Sequence, residues 1–158
     1  MTELRLPEPT SMTGASWTVF ELLANEEERD PTSMARMSDE QRTVFTINML
    51  RQEVNSGGFD SYFLSSSGDT APIAAKTIGL LGPRWSELVN DAMALFDQPY
   101  PVDPDVRRDR IDTFQDELDA LDQRLYELES STEADSKLDD YVASHRSAFF
   151  KPPALPTR

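Results

Sequence analysis

His145 is the one histidine in this chain, and no cysteine accompanies it. Those two facts remove most site chemistry. Thiolate nucleophiles, disulfides and cysteine-ligated zinc are excluded. Any Ser-His-Asp triad would have to be built on His145, which the periodicity places in the middle of the last helix. A lone histidine there is more often an exposed or satisfied side chain than a base. Paired carboxylates for general acid and base work could be drawn from any of 29 acidic residues, so their presence selects nothing. No metal or cofactor site is expected.

A second candidate is the stretch NSGGFDSYFLSSSGD, residues 55 to 69. Gly57-Gly58 lacks the Lys of a phosphate loop, and it follows a helical pattern rather than the strand that a dinucleotide fingerprint requires. Ser65, Ser66, Ser67 and Gly68 could form an anion-binding nest, but Asp60 and Asp69 flank them and would repel the anion. A small pocket built from Asn55, Asp60, Tyr62, Ser67 and Asp69 is the functional alternative. The architectural reading is that the glycines reverse the chain, Phe59, Tyr62 and Phe63 plug a core, and Asp60 or Asp69 caps a following helix. Nothing here points to an enzyme.

The third candidate is charge. Asp and Glu number 29 against 15 Lys and Arg, for a net charge of −14 and a pI near 4.3. Phosphate backbones and anionic membranes would be repelled, whereas a cationic partner would be attracted. The excess is not evenly spread. From Asp112 to Asp135 stand nine acids and one base, Arg124, a net charge of −8 in 24 residues. Like charges three and four apart on a helix repel by a few tenths of a kcal/mol per pair. An ordinary solvated face relieves this with interleaved Lys or Arg, and this one scarcely does.

The elements that must position these residues read as helices throughout. Trp17, Phe20, Leu23 and Ala24 mark a first helix, 17 to 28, ended by Asp30-Pro31. Ser38 with Gln41 is a capping box that opens a second, whose inward face runs Val44, Ile47, Leu50, Arg51 and Val54 until Gly57-Gly58. Thr70 can cap a third with Pro72 in its first turn, ending at Gly82-Pro83. The segment 84 to 97 is a fourth, with Trp85, Leu88, Val89, Ala92, Leu95 and Phe96 inward. A long helix from about 105 to 129 sets Phe114, Leu118, Leu121, Leu125 and Leu128 against Asp105, Asp109, Asp112, Asp116, Asp119 and Glu127 on the opposite side. A last helix covers 133 to 150. The expected fold is therefore all-α: a single compact helical domain of about six helices over 17 to 150. A flexible arm, 1 to 16, and an extended Pro-rich tail, 151 to 158, flank it. With no basic-then-apolar start and no run long enough to span a bilayer, the expected location is cytoplasmic.

The string N-x-G-G-F-D-x-Y-F-x-x-S-S-G-D followed by A-P resembles the motif of a bacterial DNA-mimic protein family. Asn55, Gly57, Gly58, Phe59, Asp60, Tyr62, Phe63, Ser66, Ser67, Gly68, Asp69, Ala71 and Pro72 carry it. The likeness continues more weakly through Ile78-Gly79, the proline-and-aspartate connector from Phe96 to Asp105, Arg107 or Arg108, and the C-terminal helices, covering about 38 to 150. The family often has Gln where Ser61 stands and Asn where Ser65 stands. The resemblance implies an all-helical acidic homodimer. It further implies surface carboxylates that imitate duplex phosphates and occupy a helix-turn-helix regulator.

The reading that follows is an acidic binding protein, not an enzyme, that keeps a basic DNA-binding partner off DNA. Asp112, Asp116, Glu117, Asp119, Asp122 and Glu127 are the residues expected to meet that partner. The alternative is an immunity or antitoxin-type protein that neutralises a basic toxin.

Overall fold

The structure, a computed structural model, describes residues 2–153. It is all-α. The helices are α1 (Ala15–Arg29), α2 (Asp39–Leu64), α3 (Ala71–Thr77), α4 (Pro83–Met93), α5 (Pro104–Ile111), α6 (Gln115–Glu129), α7 (Glu133–Ser144) and α8 (Arg146–Phe149), joined in part by single 3₁₀ turns. Among the described residues there is no strand, only an isolated parallel bridge between Leu6 and Phe150. The chain divides into two units, one formed by the segments up to Phe45 and from Asp135 onward, the other by Thr46–Ala134.

In the first unit the capping box forms as its spacing predicts. Ser38 Oγ accepts from the Gln41 N–H at 3.1 Å and Gln41 Oε1 accepts from the Ser38 N–H at 3.0 Å. The N-terminus of α1 is satisfied from much farther along the chain. Gly14 turns through the left-handed region at φ 77°, and Asp139 of α7 accepts from the Gly14 and Ser16 N–H groups at 2.8 and 2.9 Å. The segment expected as a flexible arm is anchored instead. Leu4 and Leu6 are buried, the Leu4 N–H donates to Arg36 O, the Leu6 N–H donates to Phe149 O, and the Lys151 N–H donates to Leu6 O. Two apolar side chains two apart, in extended backbone, gave no helical period to read. Of the expected tail, residues 151 to 153 are exposed and lie outside any helix; 154 to 158 lie outside the described residues.

In the second unit α2 passes Gly57 and breaks at Gly58, where φ 86° and ψ 172° leave the helical region. Of the glycine pair, Gly58 supplies the reversal, a conformation that a Cβ makes costly. Phe59, Tyr62 and Phe63 then enter the core fully buried, with Phe63 edge-on to Phe96 at 4.9 Å and Phe96 edge-on to Phe114 at 5.1 Å. The expected long helix is interrupted. A 3₁₀ turn, Asp112–Phe114, separates α5 from α6, and Phe114 adopts φ −137° and ψ 34°. Burying Phe114 against Phe96 outweighs the propensity of an uninterrupted run. α5 has its own N-cap, the Asp103 side chain accepting from the Asp105 N–H at 2.9 Å, with Pro104 in the first turn. A second long helix is also divided: His145, at φ −129° and ψ 33°, separates α7 from α8.

Candidate functional site

Eight of the nine acids in the run sort into two groups by what their carboxylates touch. Three of them are structural. Asp122 accepts from the Phe59 N–H at 2.7 Å, the first free donor after the break at Gly58. Glu129 takes the buried Arg51 through Oε1 at 2.9 Å to Nε and the Asn55 amide through Oε2 at 2.6 Å. Asp135 accepts from the Trp17 indole at 2.9 Å. Arg51, the exception on the inward face of α2, is thus explained: it is 3% exposed and also donates to Asn48 Oδ1 at 3.0 Å.

The remaining group is open. Asp112, Asp116, Glu117, Asp119 and Glu127 are exposed, and none pairs with a cation among the described residues. Only Asp119 has a side-chain partner, the Gln115 amide at 3.2 Å. α6 buries Leu118, Leu121 and Leu125, which turns Asp116, Asp119 and Glu127 outward. Asp112 belongs to the 3₁₀ turn instead, so the helical phase that joined it with Asp105 and Asp109 into one stripe does not run through Phe114. Asp105 is engaged by Arg108 at 2.6 Å.

Asp122 sits apart from both descriptions in its titration. Burial pushes its carboxyl above the ordinary Asp value of 3.8, the Phe59 N–H pulls it back, and the neighbouring Asp60 and Asp119 charges push it further up. Its oxygen also lies where a Cβ on Gly58 would be, at 2.7 Å.

The serine-glycine stretch encloses a cation, not an anion. Arg107 of α5 is fully buried, and its guanidinium is surrounded by oxygen. Nε donates to Phe63 O at 2.8 Å, Nη1 to Pro101 O and Val102 O at 2.9 Å each, and Nη2 to Ser65 O at 3.0 Å and Asp69 Oδ1 at 2.9 Å. Every N–H of the fork has an acceptor, which is what a guanidinium needs in order to leave water. Tyr100 lies 5.6 Å below it and donates to Gly68 O at 2.7 Å. Gly68 must be glycine for room: a Cβ there would stand 2.9 Å from Tyr62 O and 3.0 Å from Arg107 Nη2.

This arrangement leaves no room for the anion-binding nest already disfavoured by Asp60 and Asp69, because carbonyl oxygens converge where amide hydrogens would have to. It also reassigns the caps. Asp69 pairs with Arg107, Asp60 accepts from the adjacent Ser61 N–H at 2.7 Å, and Thr70 precedes α3 without capping it. The Thr70 hydroxyl donates to Ser67 O at 2.7 Å and lies 3.1 Å from the Tyr62 hydroxyl. Burial raises both the Tyr62 and Tyr100 phenols well above the ordinary tyrosine range, so each remains a neutral hydrogen-bonding group. The five-residue pocket does not assemble: Asn55 is taken by Glu129, and Tyr62, Ser67 and Asp69 are occupied around Thr70 and Arg107.

Sequence reasoning left Arg107 undistinguished from Arg108. The signal was there, since Arg107, Ile111 and Phe114 stand four and three apart, and all three are buried. The His145 ring packs at a tilt against Tyr141, 4.3 Å between ring centroids, and its Nδ1 lies 2.7 Å from Tyr141 O. Among the described residues no three His, Cys, Asp or Glu gather as a metal ion would require. No helix among them is long and apolar enough to cross a membrane.

A family model described as DMP19-like protein matches residues 35–145. The match spans the capping box, the broken α2, the Arg107 cradle and the open carboxylates of α6. Searches of curated proteins and of solved structures returned no match.

Proposed function

The chain belongs to the DMP19-like family of DNA-mimic proteins, and from that premise we infer that it binds a basic DNA-binding protein and keeps it off DNA. The observation that carries this reading is the set of exposed carboxylates at Asp112, Asp116, Glu117, Asp119 and Glu127, none in an ion pair among the described residues, in a chain of net charge −14. A stable helix does not need that arrangement, and interleaved bases would relieve its repulsion. A DNA-binding groove supplies the missing cations, because it is built to neutralise a row of phosphates.

The mechanism is competitive occupation. The partner's Lys and Arg side chains trade phosphate oxygens for carboxylate oxygens, and the same surface cannot hold both. Asp122 contributes to this face indirectly, by fixing Phe59 and the break in α2. Homodimerisation and action on a transcriptional regulator, both implied by the resemblance, belong to the same reading. Proteins captured from the native lysate at low salt and released at high salt supply the candidate partner. A labelled duplex bound to that partner is then titrated with this protein. Displacement of the duplex supports the inference, and a ternary complex that retains it overturns it.

A further inference from the structure

The first unit carries a feature opposite in sign to the rest of the chain. The bridge between Leu6 and Phe150 brings the N-terminal segment alongside the residues that follow α8. Leu4 and Leu6 point inward, so the intervening Arg5 faces outward on the same edge as Lys151. Arg146 opens α8, one turn before Phe150, whose N–H donates to Arg146 O at 2.9 Å. Between them lies an open cleft of about 580 Å³, lined by Arg5, Glu8, Arg146, Phe150, Lys151 and Pro152 among others. Its lining is therefore three cations, one carboxylate, a serine, a phenylalanine and two prolines.

We propose that this cleft binds a small amphipathic organic anion, an apolar body carrying one carboxylate, sulfonate or phosphate head. Its volume is that of a small-molecule site, on the order of 300–1,000 Å³. The cations are held in place without being consumed. Arg5 pairs with the exposed Glu3 at 2.8 Å, and Arg146, 57% exposed, approaches Glu8 only to 3.6 Å. Exposed pairs of this kind are worth little, so a ligand head group can displace either carboxylate. Pro152 and Pro153 take the apolar body over a largely buried Phe150, while Arg146 and Lys151 take the charge. The long-range field of a chain at −14 opposes any anion, so binding of one reports a local site.

The probe is 8-anilinonaphthalene-1-sulfonate, added to the full chain at low salt, with decanoate and inorganic phosphate as competitors. The expected result is a saturable rise in dye fluorescence that decanoate reverses and inorganic phosphate alone does not. The double variant Arg146→Gln, Lys151→Gln, both at accessible side chains, should weaken dye affinity at least tenfold with an unchanged unfolding midpoint. Lys76→Gln, in the second unit, should leave it unchanged. Dye fluorescence no greater than in buffer overturns the proposal, as does equal affinity in the double variant. Reversal by inorganic phosphate alone overturns the amphipathic ligand class and leaves a simple anion site.

Discussion

Asp122 Oδ1 lies 2.7 Å from the Phe59 nitrogen, joining the middle of α6 to the first residue after the break at Gly58. A carboxylate expected from the sequence to meet the partner is thus a helix cap supplied from another helix. The two roles make opposite demands on it: capping favours partial burial, and electrostatic display favours exposure.

Replacing Asp122 separates these demands. Asp122→Asn keeps an oxygen acceptor and removes a charge that burial and Asp60 disfavour, so stability near neutrality should hold or rise slightly. Asp122→Ala leaves the Phe59 N–H without its acceptor and should cost about 1–3 kcal/mol. The pH dependence has a definite sign. The folded-state value is raised above 3.8, so the unfolded chain ionises first and Asp122 weighs against folding above its own titration range. Lowering the pH through the window from that raised value down to 3.8 should shrink any advantage of the Asn variant. Denaturant midpoints for wild type and both variants across that window test this, and a growing advantage on acidification would contradict it.

Arg107 should be the most expensive side chain to remove. Arg107→Met leaves four carbonyl oxygens and Asp69 without their donor, a loss on the order of 3–5 kcal/mol if the second unit folds at all. Arg107→Lys keeps the charge and loses the fork, and should recover only part of it. Hydrogen exchange at residues 59 to 70 reads the effect locally, even where the midpoint is hard to measure.

Gly58→Ala should lower stability by about 1–2 kcal/mol for its left-handed backbone, and further because the new Cβ meets Asp122 Oδ2 at 2.7 Å. The double variant with Asp122→Ala should be less damaging than the sum of the two changes, because the collision vanishes with the carboxylate. Strict additivity in thermal unfolding would argue against that contact.

Asp112→Asn, Asp116→Asn and Asp119→Asn together remove three exposed charges and no buried partner. Stability should hold or rise slightly as repulsion is relieved. Affinity for the basic partner should fall more than tenfold, since interfacial charge pairs couple by roughly 1.5 kcal/mol or more. Binding of the wild type should weaken with added salt, as duplex binding to the same partner does. A triple variant that competes with duplex as well as wild type would remove this face from the mechanism.

Helix positions and the capping box were legible because both depend on residues three and four apart. What could not be read depends on partners distant in sequence. Asp139 caps α1 across more than a hundred residues, and nothing local to Gly14 announces it. The break at Phe114 likewise follows from Phe96, which pulls an aromatic ring out of phase with the helix that its neighbours favour. The carboxylates from 112 to 135 look alike in the sequence. Their division into caps, ion pairs and open charges required knowing that Phe59, Arg51 and Trp17 come to meet them.

The bridge between Leu6 and Phe150 has a consequence for synthesis. The second unit is one uninterrupted stretch, Thr46–Ala134, whereas the first needs both flanking segments. On the ribosome, Leu6 is translated long before the Phe149 carbonyl and the Lys151 N–H that pair with it, whereas Leu4 meets Arg36 early. The second unit is complete in sequence before that, with Arg107 already able to close over Phe63 and Ser65. A chain truncated just past Ala134 and released from the ribosome should therefore hold a protease-resistant Arg107 cradle while its first helix, uncapped by Asp139, is still open to cleavage.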